Sequence, residues 1–124
     1  MMHSGNVLAF VGDAVLSLQV RQYLVEQGIT KTKQLQETSV KFVSAIAQAN
    51  FMKSLLEREA LTDEEMSIYK RGRNAKSASM AKNADVMSYR IATGFEALWG
   101  YLHMEGRQER LDELWKEYIE TVEL

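Results

Sequence analysis

With 124 residues, 46% hydrophobic and 26% charged, the chain can bury one core, is too short for two ordinary domains and is not disordered. Its net charge of −2 gives no global basic footprint, so any nucleic-acid contact must come from a local patch. The absence of cysteine excludes a disulfide framework and cysteinyl zinc or iron–sulfur sites, and two histidines without paired spacing, His3 and His103, argue against a histidine-rich metal centre.

A cysteine-free chain fits a reducing compartment, and a cytoplasmic location is expected. No apolar run reaches about 18 residues without a charge, so no membrane span is expected. No basic segment precedes the first apolar stretch, as a secretory signal would require.

There is no proline, and the apolar spacing is helical almost throughout, which predicts an all-α fold in one domain over residues 1–124. Five helices are predicted. The first runs from about Asn6 to Gln27 and stops at Gly28, a C-terminal cap. The second runs from about Lys33 to Glu59 on Leu35, Phe42, Val43, Ile46, Ala49, Leu55 and Leu56. The third starts at Thr62, where Thr62-Asp63-Glu64-Glu65 is a capping box, and ends near Lys70.

From Gly72 to Asn83 the periodicity vanishes into Gly, Asn, Ser and Ala, which predicts a loop, and loops of about this length are often functional. Asn83 or Asp85 then caps a fourth helix that ends at Gly106. An acidic fifth helix, from about Gln108 to Val122, carries Leu111, Leu114, Trp115, Tyr118 and Ile119 on one stripe. Trp99, Tyr101, Trp115 and Tyr118 are read as core.

Two apolar stretches each carry a single acid. Asp13 is the only charged residue from Met1 to Val20, and Glu96 the only one from Ile91 to Met104. An unpaired buried carboxylate costs several kcal/mol, so such groups are protonated, paired or bound to a metal. Gly12, Ala14, Gly94, Ala97 and Gly100 flank the acids and would let two helices approach closely. Mg²⁺ binds few protein carboxylates and completes its shell with water and phosphate oxygens. One Asp and one Glu on meeting helices would therefore suffice for metal-assisted phosphodiester hydrolysis. The alternative is that each acid pairs with a base in the core of a purely structural helical protein.

The motif Phe10-Val11-Gly12-Asp13-Ala14-Val15-Leu16 resembles the signature helix of the ribonuclease III catalytic domain, and Phe95-Glu96-Ala97-Leu98-Trp99-Gly100-Tyr101-Leu102 resembles its second catalytic helix. The stretch Lys70-Arg71-Gly72-Arg73-Asn74-Ala75-Lys76-Ser77, with Lys82-Asn83 and Asp85-Val86 beyond it, is similar to the short Mini-ribonuclease III branch, which lacks a double-stranded-RNA-binding domain.

The resemblance spans nearly the whole chain. It implies a helical endonuclease acting as a homodimer on double-stranded RNA, with Mg²⁺ held by the catalytic acids Asp13 and Glu96 and with 5′-phosphate and 3′-hydroxyl products. For this branch it implies maturation of the large-subunit ribosomal RNA precursor. It matches Phe10 to an aromatic that enters the partner subunit. Two family acids are replaced, by Ala9 and Thr93; the branch carries non-acidic residues there, so the loss does not imply inactivity. Asp85 lies three helical turns, about 16 Å, from Glu96 and is read as a cap.

Lys70, Arg71, Arg73, Lys76, Lys82 and Arg90 face only Asp85 within residues 70–90, a local charge of +5. Double-stranded RNA is recognised through shape, phosphates and 2′-hydroxyls, so basic side chains and exposed backbone suffice. Arg71, Arg73, Asn74, Lys76 and Lys82 are the candidate RNA-binding residues. A non-catalytic, ribosome-associated helical dimer with too few acids to cut is the rival reading.

Overall fold

The computed structural model describes residues 3–75 and 86–123. Six α-helices and no strand lie among them: α1 Gly5–Glu26, α2 Thr32–Val43, α3 Ala45–Glu57, α4 Asp63–Arg73, α5 Val86–Met104 and α6 Gln108–Glu123. The all-α expectation is met.

The axis of the fold is α5. A helix that is apolar on every side has to be surrounded, and from Gly94 to Leu102 every residue is buried except Glu96, which is half-buried. Helices α1, α3, α4 and α6 pack around it, and α2 closes against α1 and α3. The centre is aromatic. Phe51 of α3 meets Phe95 edge-on at 6.0 Å, and Tyr118 of α6 stacks on Phe95 at 5.4 Å. The polar ends of these rings are satisfied, as burial demands: Trp99 Nε1 donates to Gln19 Oε1 at 2.7 Å, and the Tyr118 hydroxyl donates to the Phe42 carbonyl. Trp99, Tyr101 and Tyr118 are buried and Trp115 is half-buried, stacked on Tyr118.

Helix ends follow local chemistry. Ser4 caps α1, and Gly28 follows its end at φ +96°, a left-handed conformation that favours glycine. The Thr62–Glu65 capping box opens α4 as expected. Glu65 is then locked by Arg110 of α6, whose Nε and Nη2 donate to its two carboxylate oxygens at 2.8 and 2.9 Å.

Two expected boundaries are wrong. The single helix from Lys33 to Glu59 is two helices, because Ser44 is extended at ψ 152° and its hydroxyl accepts from the Ala47 N–H. The serine side chain supplies a cap that competes with continuation of the helix. Ile46, read as part of the apolar stripe, is 68% exposed as a result. The loop expected from Gly72 also starts late: α4 continues through Gly72 to Arg73. A Cβ on Gly72 would sit 2.9 Å from Gly94 Cα and 2.6 Å from Ala97 Cβ, so this glycine serves close approach to α5, and it is buried. The expected cap at Asn83 or Asp85 lies outside the described residues.

The tightest approach is between α1 and α5. A Cβ on Gly12 would collide with the Glu96 carbonyl, and one on Gly100 with the Leu8 carbonyl. Both obstacles are backbone and cannot rotate away. Gly100→Ala should therefore lie at or above the upper end of the ~1–3 kcal/mol typical of overpacking, lowering Tm by roughly 10 °C in a chain of this size. Thermal unfolding followed by circular dichroism measures this; an unchanged Tm would mean that the helices do not touch through glycine.

Candidate active site

The glycine crossing determines where the two lone acids go. Asp13 follows Gly12, and the space a Gly12 Cβ would need is filled by the backbone of Glu96. The Asp13 and Glu96 carboxyl groups consequently come within hydrogen-bonding reach of each other. Asp13 is exposed and Glu96 half-buried. Among the described residues neither forms an ion pair, so no described base neutralises them.

Glu96 is electrostatically strained. Burial first, and then the adjacent Asp13, push its carboxyl up to about 8 from an ordinary value of 4.5. A hydrogen bond from Gln48 Nε2 to Glu96 Oε2, at 3.3 Å, acts in the opposite direction. Two converging carboxylates with no described cation between them fit the donor set Mg²⁺ takes, one or two carboxylates plus water and phosphate oxygens. No group of three or more potential ligands occurs among the described residues.

Gln48 was not a sequence candidate. It is 2% exposed, and its side-chain oxygen has no hydrogen-bond partner. The available signal was a polar residue on the buried stripe Gln48, Met52 and Leu55 of α3. A cleft of about 160 Å³ opens beside Glu96, lined in part by Gln48, Tyr89 and Thr93. Where the family acids are replaced, Ala9 is buried and the Thr93 hydroxyl donates back to the Tyr89 carbonyl.

The basic candidates divide. Arg71 and Arg73 lie in the last turn of α4, not in a loop. A cationic last turn also complements the helix dipole. Arg71 is exposed, and its Nη1 donates to the His3 carbonyl at 3.1 Å. Arg73 is half-buried over the Tyr69 ring at 5.6 Å, with its Nε donating to Asn74 Oδ1 at 3.2 Å. Asn74 is the exposed C-cap. Lys76 and Lys82 lie outside the described residues. The end of α4 touches α5 at Gly94 and Ala97, so the backbone that carries Arg71 and Arg73 packs against the helix that bears Glu96.

Phe10, one turn before Asp13, is 81% exposed. With Val7, Ala14 and Leu18 it forms an apolar stripe along the outer face of α1.

A model of the ribonuclease III domain matches residues 6–107, so fold and site define a ribonuclease III-type endonuclease. The protein named Mini-ribonuclease 3 from Enterococcus faecalis is 54% identical over 90% of this chain and 84% of its own length. Its namesake from Streptococcus pneumoniae is 50% identical over 97% of this chain and 94% of its own length. A crystal structure of a Fusobacterium nucleatum protein superposes with a TM-score of 0.85 at 29% identity, covering 95% of this chain and 93% of that one. The chain belongs to the ribonuclease III family, in its Mini-ribonuclease 3 branch, and is an endoribonuclease.

The raised Glu96 value has a consequence for stability. Between about 4.5 and 8 the folded protein holds this proton more tightly than the unfolded chain. Its stabilising contribution is therefore complete below the unfolded value and is lost as pH rises through the folded one. In EDTA, the Tm of the parent relative to Glu96→Gln should fall from pH 6 to pH 9. A constant difference would show that Glu96 titrates normally.

Proposed function

We propose that the protein cuts double-stranded RNA as a homodimer, with Mg²⁺ held between Asp13 and Glu96. The observation carrying this reading is the convergence of two lone carboxylates, with no ion-pair partner among the described residues, at the tight backbone crossing of α1 and α5. When bound, the ion would supply positive charge to the scissile phosphate and acidify a water. Asp13 presents its carboxylate from the exposed side and Glu96 from the half-buried side. Arg71, Arg73 and Asn74, with Lys76 and Lys82, contact the RNA backbone. The local charge of +5 over residues 70–90 supports this role, because phosphate contacts set the position of a duplex without reading its sequence.

The products carry 5′-phosphate and 3′-hydroxyl ends. Membership of the branch supports precursor of the large-subunit ribosomal RNA as the substrate, and a cytoplasmic location follows from that substrate. Among the described residues no helix is long and apolar enough to cross a membrane.

The dimer reading rests on the α1 stripe. Phe10 projects from the same helix as Asp13, so pairing through this face would fix the spacing of two sites, one for each strand. Contiguous exposed apolar surface of this kind marks association sites.

Asp13→Asn and Glu96→Gln preserve side-chain shape and remove ligand charge. Each should slow Mg²⁺-dependent cleavage of a labelled RNA duplex by at least about 100-fold, while duplex binding persists. Near-parental cutting by either variant would remove that residue from the metal site. Phe10→Ala should weaken the dimer by about 2 kcal/mol, roughly 30-fold in Kd, as expected for an aromatic anchor. Light scattering across a dilution series measures this, and a parent that is monomeric at every concentration would end the two-strand mechanism.

A further inference from the structure

The chain break at Ser44 has a side chain attached to it whose chemistry is otherwise unexplained. Gln48 lies one turn into α3, where its backbone N–H donates to the Ser44 carbonyl at 3.1 Å. Its side-chain Nε2 reaches back to the Val43 carbonyl at 3.1 Å and across to Glu96 Oε2 at 3.3 Å. A backbone carbonyl can only accept, so the amide nitrogen must face this pair; the flipped amide would oppose oxygen to oxygen. The residue is 2% exposed, and its Oε1 has no hydrogen-bond partner.

A buried amide with one unpartnered end is destabilising relative to an apolar side chain of similar volume. Packing alone would favour Leu or Met here. Among the described residues, Gln48 is also the only side chain other than Asp13 that hydrogen-bonds to Glu96.

We propose that Gln48 is a positioning residue: anchored on the Val43 carbonyl, its amide N–H holds the Glu96 carboxylate turned toward Asp13, so that a divalent cation meets two prearranged oxygen ligands. This rests on the reading of Asp13 and Glu96 as a metal site. The amide acts through Glu96 and touches neither substrate nor the reacting atoms. Hydrogen bonds that orient a metal-binding carboxylate typically alter metal affinity or activity 10–100-fold when removed. The anchor also gives the α2–α3 break a purpose, since Ser44 sets the turn that brings Val43 and Gln48 together.

The test uses the full chain and Gln48→Met, which keeps the volume and removes the N–H. Mn²⁺ binding without RNA, followed by electron paramagnetic resonance, should weaken at least about 10-fold. In duplex cleavage, kcat should fall and the Mg²⁺ concentration for half-maximal rate should rise, with KM for RNA unchanged. In the parent, the Gln48 side-chain NH₂ resonances should shift as Mg²⁺ is added, a readout that does not depend on the variant folding. Parental Mn²⁺ affinity in a folded Gln48→Met, or NH₂ signals that do not move as Mg²⁺ saturates, overturns the proposal. Asp13→Asn separates the two readings. If it binds Mn²⁺ as the parent does, the metal site itself fails and this inference with it; if it loses Mn²⁺ while Gln48→Met retains it, only this inference fails.

Discussion

The contact on which the structure depends is the crossing of α1 and α5, where Gly12 and Gly100 let one helix backbone rest on the other. No side chain separates the two helices there, so their spacing is set by backbone atoms rather than by rotamers. Such a contact has little compliance, because closely packed interiors transmit strain instead of absorbing it. Each acid is adjacent to this point: Asp13 follows Gly12, and the carbonyl that bars a Gly12 side chain belongs to Glu96. The two acids are thus placed beside the tightest of the glycine contacts among the described residues.

The same approach creates an electrostatic problem. Glu96 is carried into a helix whose neighbouring positions are buried, and its close acidic neighbour among the described residues is Asp13. Desolvation and repulsion both favour the protonated form. Hydrophobic packing of α5 around Phe95, Trp99 and Tyr118 supplies the stability against which this pair is held. A cation between the carboxylates would reverse the balance, since a nearby positive charge favours ionisation.

A second glycine contact seats the basic end of α4 on the same helix. Gly72 lets the end of α4 lie against Gly94 and Ala97, and Arg71 and Arg73 occupy that final turn. Arg73 spreads over Tyr69, which itself packs against Gly94. The acids and the nearest described bases are therefore referenced to one helix, α5, and their relative placement does not depend on a long side chain or a free loop.

Much of this was legible in the chain itself. Helical periodicity, the Gly28 end, the Thr62 capping box and the two lone acids among small residues are local patterns, and each reflects interactions within a few residues. The lone acids were informative because a charge in an apolar run requires a partner from elsewhere. Three features were decided only by tertiary structure. Ser44 breaks a segment whose apolar spacing runs through it, since a one-residue interruption leaves both flanking stripes helical. Gly72 looked like a loop residue because sequence does not distinguish a glycine chosen for φ from one chosen for the absence of a side chain; only the position of α5 shows the second. Gln48 was silent because its partner is 48 residues away, and a polar residue on a buried stripe acquires meaning only when folding brings a carboxylate to it. Composition and spacing determined which helices form and which residues need partners; the backbone contact between α1 and α5 decided which partners they meet.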